Sequence, residues 1–204
     1  MTSGSGFDSA KALPRVPFSN VFSDVSAGSK KTMQADYLKS GSIPVIDQGS
    51  KGVAGYTNDS QAMCPVELPV VLFGDHTRRF KFVDHPVAVG ADGVKILKAR
   101  STLDTRYGFH YLSSLDLPSA GYSRHFKFLK EVSVPLPPLA EQRRIALILD
   151  RADELRAMRR RALNHCEELA DSIFFDMFGD VSGSVARPLG EVALFFAGAS
   201  LPAG

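Results

Sequence analysis

Basic and polar side chains that can contact a nucleic acid are concentrated in three short segments of this 204-residue chain. Asp75–Arg79 follows an apolar run and carries an imidazole, a hydroxyl and two guanidinium groups, which can grip phosphates or pair with bases. The others are Gln48–Gly52, whose glutamine could read an adenine edge, and Tyr122–His125. The candidate DNA-binding residues are Gln48, Lys51, His76, Thr77, Arg78, Arg79, Arg124 and His125.

The charge distribution is compatible with a polyanionic partner. Residues 1–130 hold 16 Lys and Arg against 11 Asp and Glu, whereas residues 131–204 hold 8 against 11. A merely hydrated basic face would have the same composition, and a surface salt bridge accounts equally well for any single arginine. Charge alone therefore does not separate these two interpretations.

The sequence shows no arrangement of residues typical of catalysis or metal binding. A methyltransferase motif of the form Asn/Asp-Pro-Pro-aromatic fails at Pro137–Pro138, because leucines flank the prolines. Asp75 and His76 could be an orienting acid and a base, but neighbours in a turn rarely face each other. The remaining histidines lack metal-ligand spacing. We therefore expect no metal, no cofactor and no enzymatic activity in this chain.

The overall composition is that of an ordinary globular protein, with 44% apolar and 23% charged residues. No apolar run approaches the ~18 residues of a membrane span, and no apolar signal region opens the sequence. Cys64 and Cys166 lie far apart and are expected to be reduced thiols. These features predict a cytoplasmic protein.

Short strands separated by turns must position the three segments. Residues 1–14 are expected to form a flexible arm, and residues 15–136 an α+β domain with a mostly antiparallel sheet. One helix is predicted at Leu103–Leu115, and residues 121–135 alternate like a strand. Apolar runs predict further strands at Ile43–Ile46, Val70–Phe73, Phe80–Val83, Val87–Val89 and Val94–Leu97.

The longest predicted element is a helix over Leu139–Met177, within a segment assigned to residues 137–179. Pro137–Pro138 suit the first turn of a helix, and no further Gly or Pro occurs before Gly179, a natural stop. The helix would be about 58 Å long at ~1.5 Å per residue. A helix of this length usually meets another helix or sets a distance. The alternative is that it packs on its own domain.

Apolar residues recur along this helix with heptad spacing, interrupted by Arg156 and Arg159. Such a stripe is typical of a coiled coil, so we expect two copies of the chain to pair through it. The candidate dimerisation residues are Ile145, Ile148, Leu149, Ala152, Leu155, Leu163, Leu169 and Ile173.

A short internal echo links the two ends of the chain. The stretch PFSNVFSDVSAGS at Pro17–Ser29 is similar to PLGEVALFFAGA at Pro188–Ala199, with proline and valine in matching positions. Residues 180–204 are therefore expected to open a second, truncated repeat.

Three stretches of the chain resemble the DNA-specificity (S) subunit of type I restriction-modification systems. The first is PLPPLAEQRRI at Pro135–Ile145, which leads into the long helix. The second is SIFFDMFGD at Ser172–Asp180 with the restart RPLGEVA. The third combines IPVIDQGSKGVAGYT with VLFGDHTRRFKFVDHPVAVGADGVKIL. The resemblance covers roughly residues 15–199.

The resemblance implies a non-catalytic subunit. Its full form has two target-recognition domains, each reading half of a split DNA site, separated by two long antiparallel helices. This chain looks like a half-length form that pairs with a second copy. A partner methylation subunit would carry S-adenosylmethionine and bring in the restriction subunit. Two alternatives remain: a coiled-coil structural adaptor that binds no DNA, and a small DNA-modifying enzyme.

Overall fold

The computed structural model describes residues 13–91, 93–119, 124–179 and 187–193. The strands are β1 Arg15–Pro17, β2 Phe22–Asp24, β3 Lys31–Thr32, β4 Ile43–Ile46, β5 Gly55–Thr57, β6 Val70–Gly74, β7 Phe80–Val83, β8 Ala88–Gly90, β9 Val94–Ala99 and β10 Ser133–Pro135. The α-helices are α1 Phe18–Val21, α2 Thr105–Ser113, α3 Phe126–Lys130, α4 Leu139–Phe178 and α5 Leu189–Val192. The chain divides into two compact units, Met1–Ala152 and Asp153–Gly204.

Two four-stranded sheets and one two-stranded sheet build the first unit. The first has the order β2-β9-β6-β7 and is antiparallel throughout. The second has the order β3-β8-β4-β5, in which β8 runs parallel to β3 and β4. In the third, β1 pairs with β10. The predicted α+β fold with a mostly antiparallel sheet and a long helix is confirmed.

Strand β6 lies at the centre of this fold, and all 5 of its residues are therefore buried. Successive side chains of a strand point to opposite faces. Val71 and Phe73 accordingly belong to one core, shared with α1, α2, α3 and the first turns of α4. Val70 and Leu72 belong to a second core, shared with β4 and β8. An almost continuous apolar run is what a strand covered on both faces requires.

The predicted strands are all present, with shifts of one or two residues at their ends. The predicted strand over residues 121–135 is wrong in part, since α3 occupies Phe126–Lys130 and only Ser133–Pro135 is extended. The phenylalanines Phe126 and Phe128 suggested alternation, but Leu129 is the buried residue of this segment. Residues 121–123 lie outside the described residues.

The long helix extends one residue beyond its predicted end. The Gly179 N–H donates to the Phe175 carbonyl over 2.9 Å, and Gly179 has a φ of 66°. A glycine in this left-handed conformation is a common helix stop. Within the described part of the chain, no helix combines the length and apolarity needed to cross a membrane.

The two echo segments start alike where they are described. Pro17 precedes the four-residue helix α1, and Pro188 precedes the four-residue helix α5. Residues 180–186 and 194–204 lie outside the described residues, as do residues 1–12 of the expected arm. The repeat and the domain boundaries stay predictions.

Candidate nucleic-acid interface

The strand topology brings the predicted loops to one end of the sheets. Strands β4 and β8 are parallel, with Ile46 opposite Val89, so the segments that follow them leave in the same direction. In the first sheet Gly74 at the end of β6 lies opposite Val94 at the start of β9. The loops after β4, β6 and β8 therefore leave their sheets at a common end.

Gln48 holds the turn after β6. Its Oε1 accepts from the His76 N–H over 3.3 Å, and its backbone carbonyl accepts from Thr77 Oγ1 over 2.8 Å. The approach is so close that a Cβ on Gly74 would lie 2.8 Å from the Gln48 Cβ. Gln48, His76 and Thr77 are thus brought together through contacts with one another, and their binding to DNA stays a prediction.

Asp75 ties the third predicted segment to the same turn. It is only 2% exposed, and its carboxylate Oδ1 accepts from the Phe126 N–H over 2.7 Å. The Asp75 carbonyl lies 2.8 Å from His125 Nδ1 and accepts from the His125 N–H over 3.0 Å. His125 is itself 1% exposed, so this structure gives it an interior role instead of the predicted surface contact.

The side chains of the two neighbouring arginines of the turn differ in their hydrogen bonds. Arg78 has a φ of 59°, in the left-handed region, and its Nη1 donates to the carbonyl of the buried Leu117 over 2.7 Å. Arg79 is exposed, and no described residue forms a hydrogen bond or ion pair with its guanidinium group. Arg78 therefore supports the loop, whereas Arg79 is available to a ligand.

A groove of about 480 Å³ runs beside this turn. It is lined by Arg78, Arg79, Lys81 and residues of the 49–53 loop. Lys81 Nζ donates to the Lys51 carbonyl over 2.6 Å. Burial lowers the pKa of Lys81, and the nearby Asp47 carboxylate opposes that shift. The groove is thus lined by basic residues, and a hydrogen bond joins its two sides at Lys81 and Lys51.

Arg124 is exposed, and it shares a cavity with Asp75. It lines a shallow cavity of about 250 Å³ with Asp75, Lys95, Phe126, Lys127 and Lys130. The sequence prediction missed these lysines, because a strand over this segment hides their spacing. Read as a helix, the same residues place cations three apart. Tyr122 and Ser123 lie outside the described residues.

A second missed residue, Gln142, anchors the first turns of α4. It is 0% exposed, and its Oε1 accepts from the Asp104 N–H over 2.8 Å. Its Nε2 donates to the carbonyls of Pro137 over 2.8 Å and Thr102 over 3.1 Å. Asp104 is in turn the N-cap of α2. A polar residue three positions before Ile145, inside the apolar stripe, was the available signal.

Asp150 strengthens the same attachment about two turns later. Its Oδ1 accepts from Arg106 Nε over 2.7 Å and lies 2.6 Å from His110 Nε2. Burial would raise the pKa of Asp150, but hydrogen bonds from His110 and Arg106 hold it below its usual value. Ala146 is buried in the first core and Ile145 packs against it. The predicted dimerisation residue Ile145 therefore already has a partner within its own domain.

The other large candidate dimerisation residues are exposed. The exposed fractions are 54% for Ile148 and 39% for Leu149, whereas Ala152 is half-buried. From Asp153 to Gly179 every residue is exposed except the half-buried Ala157. The large apolar side chains of this stretch include Leu155, Leu163, Leu169 and Ile173, together with Met158, Phe174, Phe175, Met177 and Phe178.

Among the described residues, no group of histidine, cysteine or carboxylate side chains is arranged to hold a metal ion. Both cysteines, Cys64 and Cys166, are free.

The family model and the curated relative that match this chain point to the same protein family. The model of the type I restriction modification DNA specificity domain matches residues 22–167 of this chain. The specificity subunit of the Escherichia coli type I restriction enzyme EcoR124I/EcoR124II is 25% identical over 177 residues, which are 80% of this chain and 44% of that protein.

Solved structures share the fold. A structure concerned with complex assembly and conformational transition of the type I R-M system has a TM-score of 0.60 at 21% identity, over 82% of this chain and 45% of that one. The type I restriction-modification S subunit from M. genitalium has a TM-score of 0.56 at 15% identity, over 83% and 46%. The chain thus spans less than half the length of these relatives.

Proposed function

This chain belongs to the family of type I restriction-modification DNA specificity domains, and on that premise we propose that it reads one half of a split double-stranded DNA target. The family is one of recognition and not of catalysis. We propose that a methylation subunit, carrying S-adenosylmethionine, and through it a restriction subunit, act in the cytoplasm at the sites this chain selects.

The observation that supports this proposal is the interlocked set of loops. Asp75 binds the backbone at Phe126, and Gln48 binds the turn at His76 and Thr77. Apart from the exposed Thr77, these bonds use buried and half-buried residues, and they leave the side chains of Lys51, Arg79 and Arg124 exposed. Loops fixed before binding lose less entropy on meeting a ligand. Gln48 acts here as a positioning residue, and Arg79 is the candidate base reader.

We further propose that two copies pair through the exposed apolar residues of α4. Leu155, Leu163 and Leu169 are 51–58% exposed. Apolar side chains at heptad spacing gain about 1.5–3 kcal/mol each when fully covered. A two-fold dimer presents two recognition domains and so selects an inverted repeat with a fixed gap.

Selection from a random duplex library tests the proposal. The chain, purified with the methylation subunit of its own system, is expected to enrich an inverted repeat. Arg79→Ala is expected to lower affinity for that site roughly tenfold or more and to relax one base position, because a bidentate arginine–guanine pair discriminates by 1–3 kcal/mol.

Arg100→Ala is the matched control. Arg100 is exposed and follows β9, about 23 Å along the strand from Gly93 at ~3.3 Å per residue. Its replacement is expected to change neither the affinity nor the selected site. Failure of the wild-type complex to enrich any duplex, with the methylation subunit still bound, would favour the structural adaptor instead.

A further inference from the structure

A second basic surface lies on α3 beside the interlocked loops. Arg124, Lys127 and Lys130 are exposed and three residues apart. Lys127 and Lys130 lie in α3, where this spacing places side chains on one side, and Arg124 lies two residues before the helix begins. The three cations line the same shallow cavity of about 250 Å³, with Lys95 and Phe126. They form the surface that we call the α3 strip, defined as Arg124, Lys127 and Lys130.

Aromatic rings support the ammonium groups of this region. The centroid of the Phe126 ring is 5.1 Å from Lys95 Nζ and 5.5 Å from Lys130 Nζ. Lys127 Nζ lies 5.0 Å from the Phe128 ring centroid. Contacts of this kind hold a cation in place without neutralising its charge. The lysines therefore stay positive and retain donors for another ligand.

The nearby carboxylates do not neutralise the α3 strip. Asp24 pairs with Lys95 over 2.9 Å. Asp75 is buried, and its Oδ1 accepts from the Phe126 N–H. Among the described residues, none forms an ion pair with Arg124, Lys127 or Lys130. An excess of positive charge thus remains at the surface.

We propose that the α3 strip binds the phosphate backbone of the DNA whose bases the turn at Arg79 reads. This inference rests on the proposed function. Asp75 touches Phe126 directly and is four residues from Arg79, at most ~14 Å of extended chain. One turn of B-DNA is about 34 Å. A single duplex can therefore contact both surfaces, and phosphate contacts on α3 fix its register against the turn.

The test is a salt titration of the double variant Lys127→Ala/Lys130→Ala in the complex with the methylation subunit. The probes are the duplex recovered by selection and a duplex of random sequence. Affinity for both is expected to fall by the same factor, tenfold or more at 100 mM salt. The slope of log K against log salt is expected to shrink by about 2, since each phosphate contact contributes ~0.9.

Two further variants separate charge from shape. Lys127→Arg/Lys130→Arg keeps both charges and is expected to retain the wild-type slope. Arg100→Ala removes one exposed charge elsewhere and is expected to leave affinity and slope unchanged. Thermal unfolding of each variant checks that the exposed positions tolerate the change.

Three results would overturn the inference. One is a loss of affinity confined to the selected duplex, which would make the lysines base readers. Another is unchanged DNA affinity with weaker recruitment of the methylation subunit, which would assign the strip to an acidic protein surface. The third is wild-type DNA affinity and slope in the double variant. If the wild-type complex itself retains neither duplex, the proposed function fails together with this inference.

Discussion

The beginning of α4, up to Ala152, and the part from Asp153 onward differ in what covers their apolar side chains. In the beginning Gln142 and Ala146 are buried, and Asp150 joins Arg106 and His110 of α2. In the later part Leu155, Leu163 and other large apolar residues are about half exposed. The first part of α4 is thus joined to its own domain along one side, although Leu147 and Ile148 stay exposed there, whereas the large apolar side chains of the later part are exposed in the described chain.

This difference shows how a heptad pattern is to be interpreted. The apolar stripe runs through both parts at the same spacing, so periodicity identifies a face but not what covers it. Gln142 distinguishes the parts, because a buried amide needs partners at fixed positions, and Pro137, Thr102 and Asp104 supply them. The exposed leucines need only another apolar surface. The anchor is specific to this domain, whereas the later stripe suits a second copy.

The largest expected effect is on pairing. Leu155→Arg is expected to raise the dissociation constant of the proposed dimer at least a hundredfold, because a charge buried in an apolar seam without a partner costs about 3–5 kcal/mol. Light scattering at tens of micromolar measures it. Leu155 lies outside the unit that ends at Ala152, so the urea midpoint of that unit is expected to stay unchanged.

Arg160→Ala is the control for pairing, since Arg160 is exposed and lies off the apolar stripe. The dimer is expected to persist in this variant. A wild-type chain that scatters as a monomer at tens of micromolar would contradict the pairing proposal and leave the later part of α4 without an assigned partner.

The next effect falls on the anchored part. Gln142→Leu is expected to lower the free energy of unfolding by about 3 kcal/mol, because it leaves the half-buried Asp104 N–H and the Pro137 carbonyl without their partner at ~1–3 kcal/mol for each unsatisfied group. Urea denaturation measures the loss. Glu141→Ala, which removes a fully exposed pair with Arg144, is expected to leave the free energy of unfolding nearly unchanged, because solvent screens such a pair. Equal effects at both positions would remove the distinction that defines the anchor.

The sequence was informative wherever local pattern decides structure. Apolar runs located five of the eight strands in the two four-stranded sheets, namely β4, β6, β7, β8 and β9, and two prolines and one glycine located the ends of α4 within a residue. Topology carries the ends of β4 and β6, and with them two of the three polar segments, in one direction, and Asp75 ties the third segment to them; their role in DNA binding stays a prediction. These are properties of residues close together in the chain, or of rules that hold for sheets in general.

The sequence was uninformative wherever a contact between residues far apart in the chain determines a side chain's role. His125 looked like a surface cation, yet its ring lies 2.8 Å from the carbonyl of Asp75. Arg78 and Arg79 looked equivalent, yet the Arg78 guanidinium group donates a hydrogen bond to the Leu117 carbonyl. Gln142 meets Asp104 only after folding. Each of these pairs joins residues separated by 38 to 50 positions, a separation that no local pattern encodes.

The smallest effect sharpens the comparison by pH. Asp150 has a pKa held below its ordinary value of about 3.9 in the folded chain, so its contribution to stability is complete above pH ~5 and is lost as pH falls through its folded pKa.

At pH 7, Asp150→Asn is expected to cost about 0.5 kcal/mol, as for a partly exposed ion pair. Urea denaturation at pH 7 and pH 3 measures both values. At pH 3 the difference from the wild type is expected to shrink, because the carboxyl of the unfolded wild-type chain is then largely protonated and folding must keep Asp150 ionised against the lower pH. Asp153→Asn, just beyond the anchored part, is expected to leave the stability of the first unit unchanged at either pH. A pH-independent cost at Asp150 would mean that shape, and not charge, joins α4 to α2.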